Sequence, residues 1–200
     1  RVLPGTDGAM YPFWSPDGRS VAFFTVDKVK RIDVDGGAVY TICDGISPRG
    51  GAWGPDGTII FPSTFDTPLS RVPAGGGTPE PLTRLEKGKH TTHRWPQFLP
   101  DGRHFIFLAA HHEKQDSGDN GIYMGSLDGG EPVRLIPSKS SAVYADGYLF
   151  YVQGNALVTQ RFDAAAGRIL GPAVPTSERV HLDRTTWRGI FSIGAFTHSL

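Results

Sequence analysis

The sequence predicts an all-β chain folded as a β-propeller of four-stranded antiparallel blades, and three observations carry that prediction. A Pro-Asp-Gly tripeptide recurs at Pro16-Asp17-Gly18, Pro55-Asp56-Gly57 and Pro100-Asp101-Gly102, followed by a degenerate Ala145-Asp146-Gly147. The steps between Asp17, Asp56, Asp101 and Asp146 are 39, 45 and 45 residues, which is the period of a propeller blade. An aromatic stands three residues before each of the first three Asp residues, as Trp14, Trp53 and Phe98, and an apolar run follows each Gly. The 200 residues also hold 26 Gly and 16 Pro between short β-branched and aromatic runs, and no segment sustains a helical apolar stripe.

Each blade therefore reads strand, turn, strand, loop, strand, turn, strand. Pro and Asp preset the tight turn and Gly supplies its positive φ. The first repeat, roughly 9–43, reaches Trp14, turns at 16–18, continues through the apolar 21–24 and the alternating 28–34, turns at Asp35-Gly36-Gly37 and ends at Cys43. The second, 49–85, repeats the order with Trp53, the run 59–61 and the turn Gly75-Gly76-Gly77. The third, 92–136, does so with Phe98, 105–108, the alternating 121–127 and Asp128-Gly129-Gly130. The fourth, 140–180, closes on a looser second turn at 163–167. A partial unit remains: 187–192 reads as an innermost strand and 195–199 as its neighbour, while 1–3 resembles the end of an outermost strand.

Four whole blades and two partial ends follow. Pairing of 187–200 with 1–3 would latch a five-bladed ring with no exposed edge. Otherwise the chain is a slice of a longer propeller, the reading favoured here, and its open blade edges allow self-association.

Composition narrows the function. Two hundred residues bury roughly 70% of the surface of the unfolded chain, enough for a core without disulfides. Twenty basic residues balance twenty acidic ones with no basic block, so no nucleic-acid partner is expected. The single Cys43 reads as a small buried hydrophobe. No stretch approaches eighteen apolar residues, so neither a membrane span nor a signal peptide is expected within the chain.

The stretches Tyr11-Pro12-Phe13-Trp14-Ser15-Pro16-Asp17-Gly18 and Trp95-Pro96-Gln97-Phe98-Leu99-Pro100-Asp101-Gly102, with the apolar runs after them, resemble the TolB-type, WD-like propeller repeat. The blade order also resembles the propeller C-terminal to the kinase domain of many bacterial serine/threonine protein kinases. That resemblance implies a ligand- or protein-binding sensor or scaffold module, attached to an enzyme elsewhere in the parent chain and placed outside the cytoplasm. The kinase signatures GxGxxG, HRD and DFG do not occur in these residues. A similar repeat precedes the hydrolase domain of prolyl-oligopeptidase-like peptidases, but no GxSxG nucleophile elbow is present.

Blade geometry points to one face. The loops entering the inner strands contain Arg49, the 90–95 segment and Trp187-Arg188, and the long 111–116 connection falls on the same side. Arg49 and Arg94 lie four residues before Trp53 and Phe98, and Arg188 lies three before Phe191. Pseudo-symmetry predicts that the guanidinium groups converge at the channel mouth, where forked donors suit a carboxylate or phosphate. The predicted site is Arg49, His93, Arg94, Trp95, Arg188 and Tyr11, the two rings serving as flat contacts for a small anionic ligand or a protein partner. The alternative is that each arginine ties neighbouring blades through a carbonyl or carboxylate. His90 and His93, with His111 and His112, raise a metal alternative. HxxH spacing gathers ligands on a helix, however, so structural histidines and neither metal nor cofactor are expected. The competing enzymatic reading makes a hydrolase or lyase with His93 as base, Arg94 as oxyanion donor and a partner carboxylate from Asp66, Glu86, Asp116 or Asp183. Asp17, Asp56 and Asp101 are expected to cap their turns.

Overall fold

Each apolar run that follows a Pro-Asp-Gly turn becomes the second strand of a four-stranded meander. The structure, a computed structural model describing residues 2–47 and 49–193, has strands and no helix among those residues. The first sheet orders β1 (Met10–Trp14), β2 (Ser20–Phe24), β3 (Lys28–Asp33) and β4 (Tyr40–Asp44) as consecutive antiparallel neighbours. The second repeats this with β5 (Ala52–Trp53), β6 (Thr58–Pro62), β7 (Leu69–Pro73) and β8 (Glu80–Pro81). The third uses β9 (Thr92–Phe98), β10 (His104–Ala110), β11 (Gly121–Ser126) and β12 (Val133–Pro137).

The fourth sheet holds β13 (Ala142–Ala145), β14 (Tyr148–Gln153) and β15 (Ala156–Asp163). Its outer position is divided between β16 (Arg168–Ile169) and β17 (Val174–Arg179), both paired with β15. The chain then differs from the expected partial blade. β18 (Leu182–Asp183) and β19 (Arg188–Gly189) form a small hairpin, so the strand within 187–192 is short and pairs with residues before it. Asp183 drives this hairpin by accepting from Thr185 N–H (2.9 Å) and Thr186 Oγ1 (2.7 Å). Val2 and Leu3 lie in no strand, and the expected strand at 195–199, like Arg1, falls outside the described residues.

The cores lie between blades. Ala22 and Phe24 of the first sheet pack with Ile59 and Phe61 of the second. Ile60, next in β6, turns the other way and joins Phe105 and Phe107 of β10. Ile106 and Leu108 then face Leu149 and Tyr151 of the fourth sheet. Successive side chains of a strand point to opposite faces. A second strand sandwiched between two blades must therefore be apolar at every position, which is why 59–61 and 105–108 read as unbroken runs. Cys43 is buried in the first of these cores, and burial beside Asp44 pushes its thiol up to about 11.

The Pro-Asp-Gly carboxylates cap their own turns. Asp17 Oδ1 accepts from Arg19 N–H (3.0 Å), Asp56 Oδ1 from Thr58 N–H (2.9 Å) and Asp101 Oδ1 from Arg103 N–H (3.0 Å) and His104 N–H (2.9 Å). His104 Nδ1 meets Asp101 Oδ2 at 2.5 Å, away from the site described below. The turns also lock blade to blade: Gly102 has φ +66°, and a Cβ there would overlap the ring of Pro55 in the preceding turn. Gly18 has φ +69° with nothing within 4 Å of its Cβ position. In urea unfolding, Gly18→Ala should cost about 1 kcal/mol, the strain of a left-handed alanine. Gly102→Ala should cost about 2–3 kcal/mol because steric overlap is added. Equal losses would show that the turns do not pack against each other.

Candidate functional site

Inner strands carry a common irregularity that aims side chains into the channel. In β1, Met10 pairs with Phe24 and Phe13 with Ala22, so Tyr11 and Pro12 together oppose Phe23. In β9, Arg94 pairs with Leu108 and Gln97 with Ile106, so Trp95 and Pro96 together oppose Phe107. Each is a one-residue β-bulge, a device that bends a strand and re-aims its side chains. Tyr11 (φ 48°), Trp95 (φ 55°) and Trp187 (φ 57°) all adopt the left-handed conformation, which is strained for bulky residues and concentrates at functional sites. The second blade places Gly50 (φ +80°) at the corresponding position, three residues before Trp53. A Cβ on Gly50 would lie 2.5 Å from Trp95 Cε3, so only glycine lets the indole lie over this strand.

This register separates the three arginines. With Trp187 aligned on Tyr11, Gly50 and Trp95, the position shared by Arg49 and Arg94 falls on Thr186, and Arg188 stands two residues later. The symmetric arginine cluster expected from spacing is therefore not what the inner strands build. Arg94 turns inward and is 1% exposed. Its Nη1 donates to Thr186 O (3.2 Å), its Nη2 to Phe65 O (3.1 Å), and both Nε and Nη2 donate to Thr92 Oγ1 (3.2 and 3.1 Å). Its guanidinium carbon sits 4.3 Å from the Trp187 ring centroid. Burial, with the Arg49 guanidinium nearby, brings Arg94 down to about 9, so it is still charged at neutral pH. Arg94 thus ties β9 to the β6–β7 loop and to the β18–β19 hairpin. Arg49 is half-buried and donates to Ser47 O (3.2 Å).

The histidines serve the same scaffold. Arg94 Nη2 donates to His112 Nε2 (3.1 Å); arginine has donors only, so this nitrogen accepts and the proton sits on Nδ1, 2.6 Å from Thr91 Oγ1. Burial and the Arg94 charge hold His112 below the usual imidazole range. His93 is 2% exposed, its Nδ1 2.8 Å from Thr83 Oγ1 and its ring 4.7 Å from that of Phe107. Burial, reinforced by His90, lowers it to about 3. His90 meets Asp119 O through Nε2 (3.1 Å), and His111 Nδ1 accepts from Glu113 N–H (3.2 Å). Among the described residues no group of three or more His, Cys, Asp or Glu side chains is gathered for a metal.

In front of this layer lies a cavity of about 210 Å³ lined by segments 11–12, 50–51, 95–97, 141–143 and 188–189. It draws on all four sheets and the terminal hairpin. Tyr11 and Trp95 meet edge to face at 5.0 Å, and the Arg188 guanidinium lies 5.8 and 5.3 Å from their centroids. Of the predicted residues, Tyr11, Trp95 and Arg188 come together here; His93 and Arg94 do not line the cavity. The candidate acids are elsewhere: Glu86 pairs with Lys89, Asp116 with Lys139, Asp66 accepts from Thr64 Oγ1 and Asp183 caps its hairpin. Sequence reasoning missed Ser141 and Gly50. The aromatic–Pro pairs Tyr11-Pro12 and Trp95-Pro96, each three residues before an inner-strand aromatic, were the available signal for the bulges.

No protein-family model matches the chain, and no curated protein matches it. Solved structures do. The chain is similar to TolB from Acinetobacter baumannii, with TM-score 0.64 and 17% identity over 86% of this chain and 44% of that one. It is similar to a putative TolB from Agrobacterium tumefaciens, with TM-score 0.66 and 16% identity over 88% of this chain and 66% of that one. A chain of a nidogen/laminin complex gives 0.63 and 17%, over 86% and 66%. The chain spans less than two thirds of each of these structures. At such identity the likeness shows the fold, and the fold is a β-propeller.

Acid should probe the buried imidazoles directly. His93 has a folded value of about 3 against an ordinary 6.5, so between these values the unfolded chain binds the additional proton. Its contribution to stability is therefore complete above pH 6.5 and is lost as pH falls through that window, at up to about 1.4 kcal/mol per pH unit. Urea unfolding at stepped pH should show His93→Gln flattening this slope; an unchanged slope would mean that His93 is not held neutral.

Proposed function

We propose that the chain is a non-catalytic binding module, the sensor or scaffold propeller of a bacterial kinase-like protein, and that it takes its ligand or partner at the mouth framed by Tyr11, Trp95 and Arg188. One observation carries the reading: strained aromatic residues on two bulged inner strands converge with an exposed guanidinium on a cavity shared by every blade. Strain of this kind costs about 1–3 kcal/mol per residue and persists where the surroundings hold it in place.

The groups behind the mouth favour binding over chemistry. A general base needs an accessible lone pair and a pKa near the working pH. His93 is enclosed and neutral far below pH 7, and Arg94 spends its donors on carbonyls, a hydroxyl and an imidazole. Attachment to a kinase-like parent and a position outside the cytoplasm rest on the sequence resemblance and are part of the proposal. No helix of the described residues is long and apolar enough to cross a membrane.

Chemical-shift mapping with a fragment set of neutral, cationic and anionic rings tests the reading. Hits should perturb the Trp95 indole N–H and the amides of Gly50, Gly51 and Gly189, and should be recovered chemically unchanged. Hits confined to the Pro-Asp-Gly face, or turned over by the protein, would contradict it.

A further inference from the structure

We infer that the mouth is a site for a small planar carboxylate, about the size of an arylacetic acid, bound through Arg188 and Ser141. The inference rests on the binding reading above and gives it a ligand class.

Charge comes first. Among the residues lining the cavity, Arg188 alone carries a formal charge, and none is Asp or Glu. Among the described residues the cavity lining thus carries a positive charge and no negative one. Arg188 has no hydrogen-bond or ion-pair partner among the described residues; its contacts are the faces of Tyr11 and Trp95. A guanidinium held near ring faces by cation–π attraction keeps its N–H donors, which engage a carboxylate in two parallel bonds.

The remaining polar groups agree. Gln97 is fully used, its amide donating to Tyr144 O (3.0 Å) and accepting from Tyr144 N–H (2.8 Å). Trp95 Nε1 donates to Thr186 O (2.8 Å). Ser141 Oγ accepts from Gly189 N–H (3.4 Å), and its own proton has no acceptor among the described residues. Gly189 follows Arg188 directly, so the Ser141 hydroxyl is fixed beside the strand that carries the guanidinium. The groups left for a ligand are thus a cation, the buried Ser141 hydroxyl and the Tyr11 hydroxyl, and an anion can accept from all three.

Size and walls set the rest. A cavity of about 210 Å³ is far larger than a single water needs and has room for a small ring-bearing molecule. Pro12, Pro96 and Val143 supply apolar wall, and the Trp95 ring is clamped by its hydrogen bond. A flat apolar body with one carboxylate matches this lining better than phosphate, which would leave the walls uncovered.

Calorimetry on the whole chain with phenylacetate, phenylacetamide and phenethylamine decides the matter. Phenylacetate should bind one to one, and the neutral and cationic isosteres at least about tenfold more weakly. Arg188→Gln should weaken phenylacetate by at least about tenfold with only a small fall in melting temperature, that of losing exposed cation–π contacts; Arg188→Lys should restore only part, and Ser141→Ala should cost about threefold. Equal binding of phenylacetamide, tighter binding of phenethylamine, or an unaffected Arg188→Gln would overturn the carboxylate while leaving a binding mouth. If no probe binds, the inference falls; if fragment mapping is also blank, the reading beneath it falls with it.

Discussion

Burying the Arg94 guanidinium beside His112 and under Trp187 obliges the surrounding chain to supply acceptors, and it does so from segments far apart in sequence. Phe65 O comes from the second blade, Thr92 Oγ1 and His112 Nε2 from the third, and Thr186 O from the terminal hairpin. No carboxylate shares in this among the described residues, so the charge is balanced by dipoles and a π face. Removing the guanidinium would leave His112 Nε2 without its donor, at a cost of about 1–3 kcal/mol for a buried unpaired group, while Phe65 O and Thr186 O would keep Thr92 Oγ1 and the Trp95 indole but lose the cation that joins them. The hairpin 182–189 offers only two short strands of its own, so its position depends on what grips Thr186 and Trp187.

The mouth follows from that grip. Thr186 O accepts from both Arg94 and the Trp95 indole, which fixes the indole over Gly50 and against Tyr11. Ser141 N–H donates to Trp187 O (2.8 Å) and so draws the fourth blade into the same ring. Arg188, next in the chain, is thereby delivered over the two aromatic faces. The layer that needed the protein's most protected cation is distinct from the one that presents a cation to solvent, and the former positions the latter.

Much of the fold was legible from spacing because the turns and second strands obey local rules. Pro-Asp-Gly turns cap themselves within three residues, and a strand buried on both faces must be apolar throughout. The site was only partly legible. Registering Arg49, Arg94 and Arg188 on the inner-strand aromatic assumed regular strands, whereas one-residue bulges at Tyr11-Pro12 and Trp95-Pro96 change which residues face the channel. The direction of Arg94 could not be read locally, since its acceptors at Phe65 and Thr186 lie 29 and 92 residues away. Ser141 is not legible for a similar reason: its place depends on a hairpin in which β19 pairs with the strand before it, β18, whereas the first strand of each whole blade pairs with the strand after it.

Amide hydrogen exchange on Arg94→Met measures the central dependence most directly. If Arg94 anchors the hairpin, the Ser141 amide bonded to Trp187 O and the Ile190 amide bonded to His181 O should lose most of their protection, together with the Trp95 indole N–H. The amides of β2 and β6 should exchange as in the parent protein. Undiminished protection at Ser141 and Ile190 would contradict the account, and a uniform loss across all blades would show that Arg94 supports general stability and not the mouth.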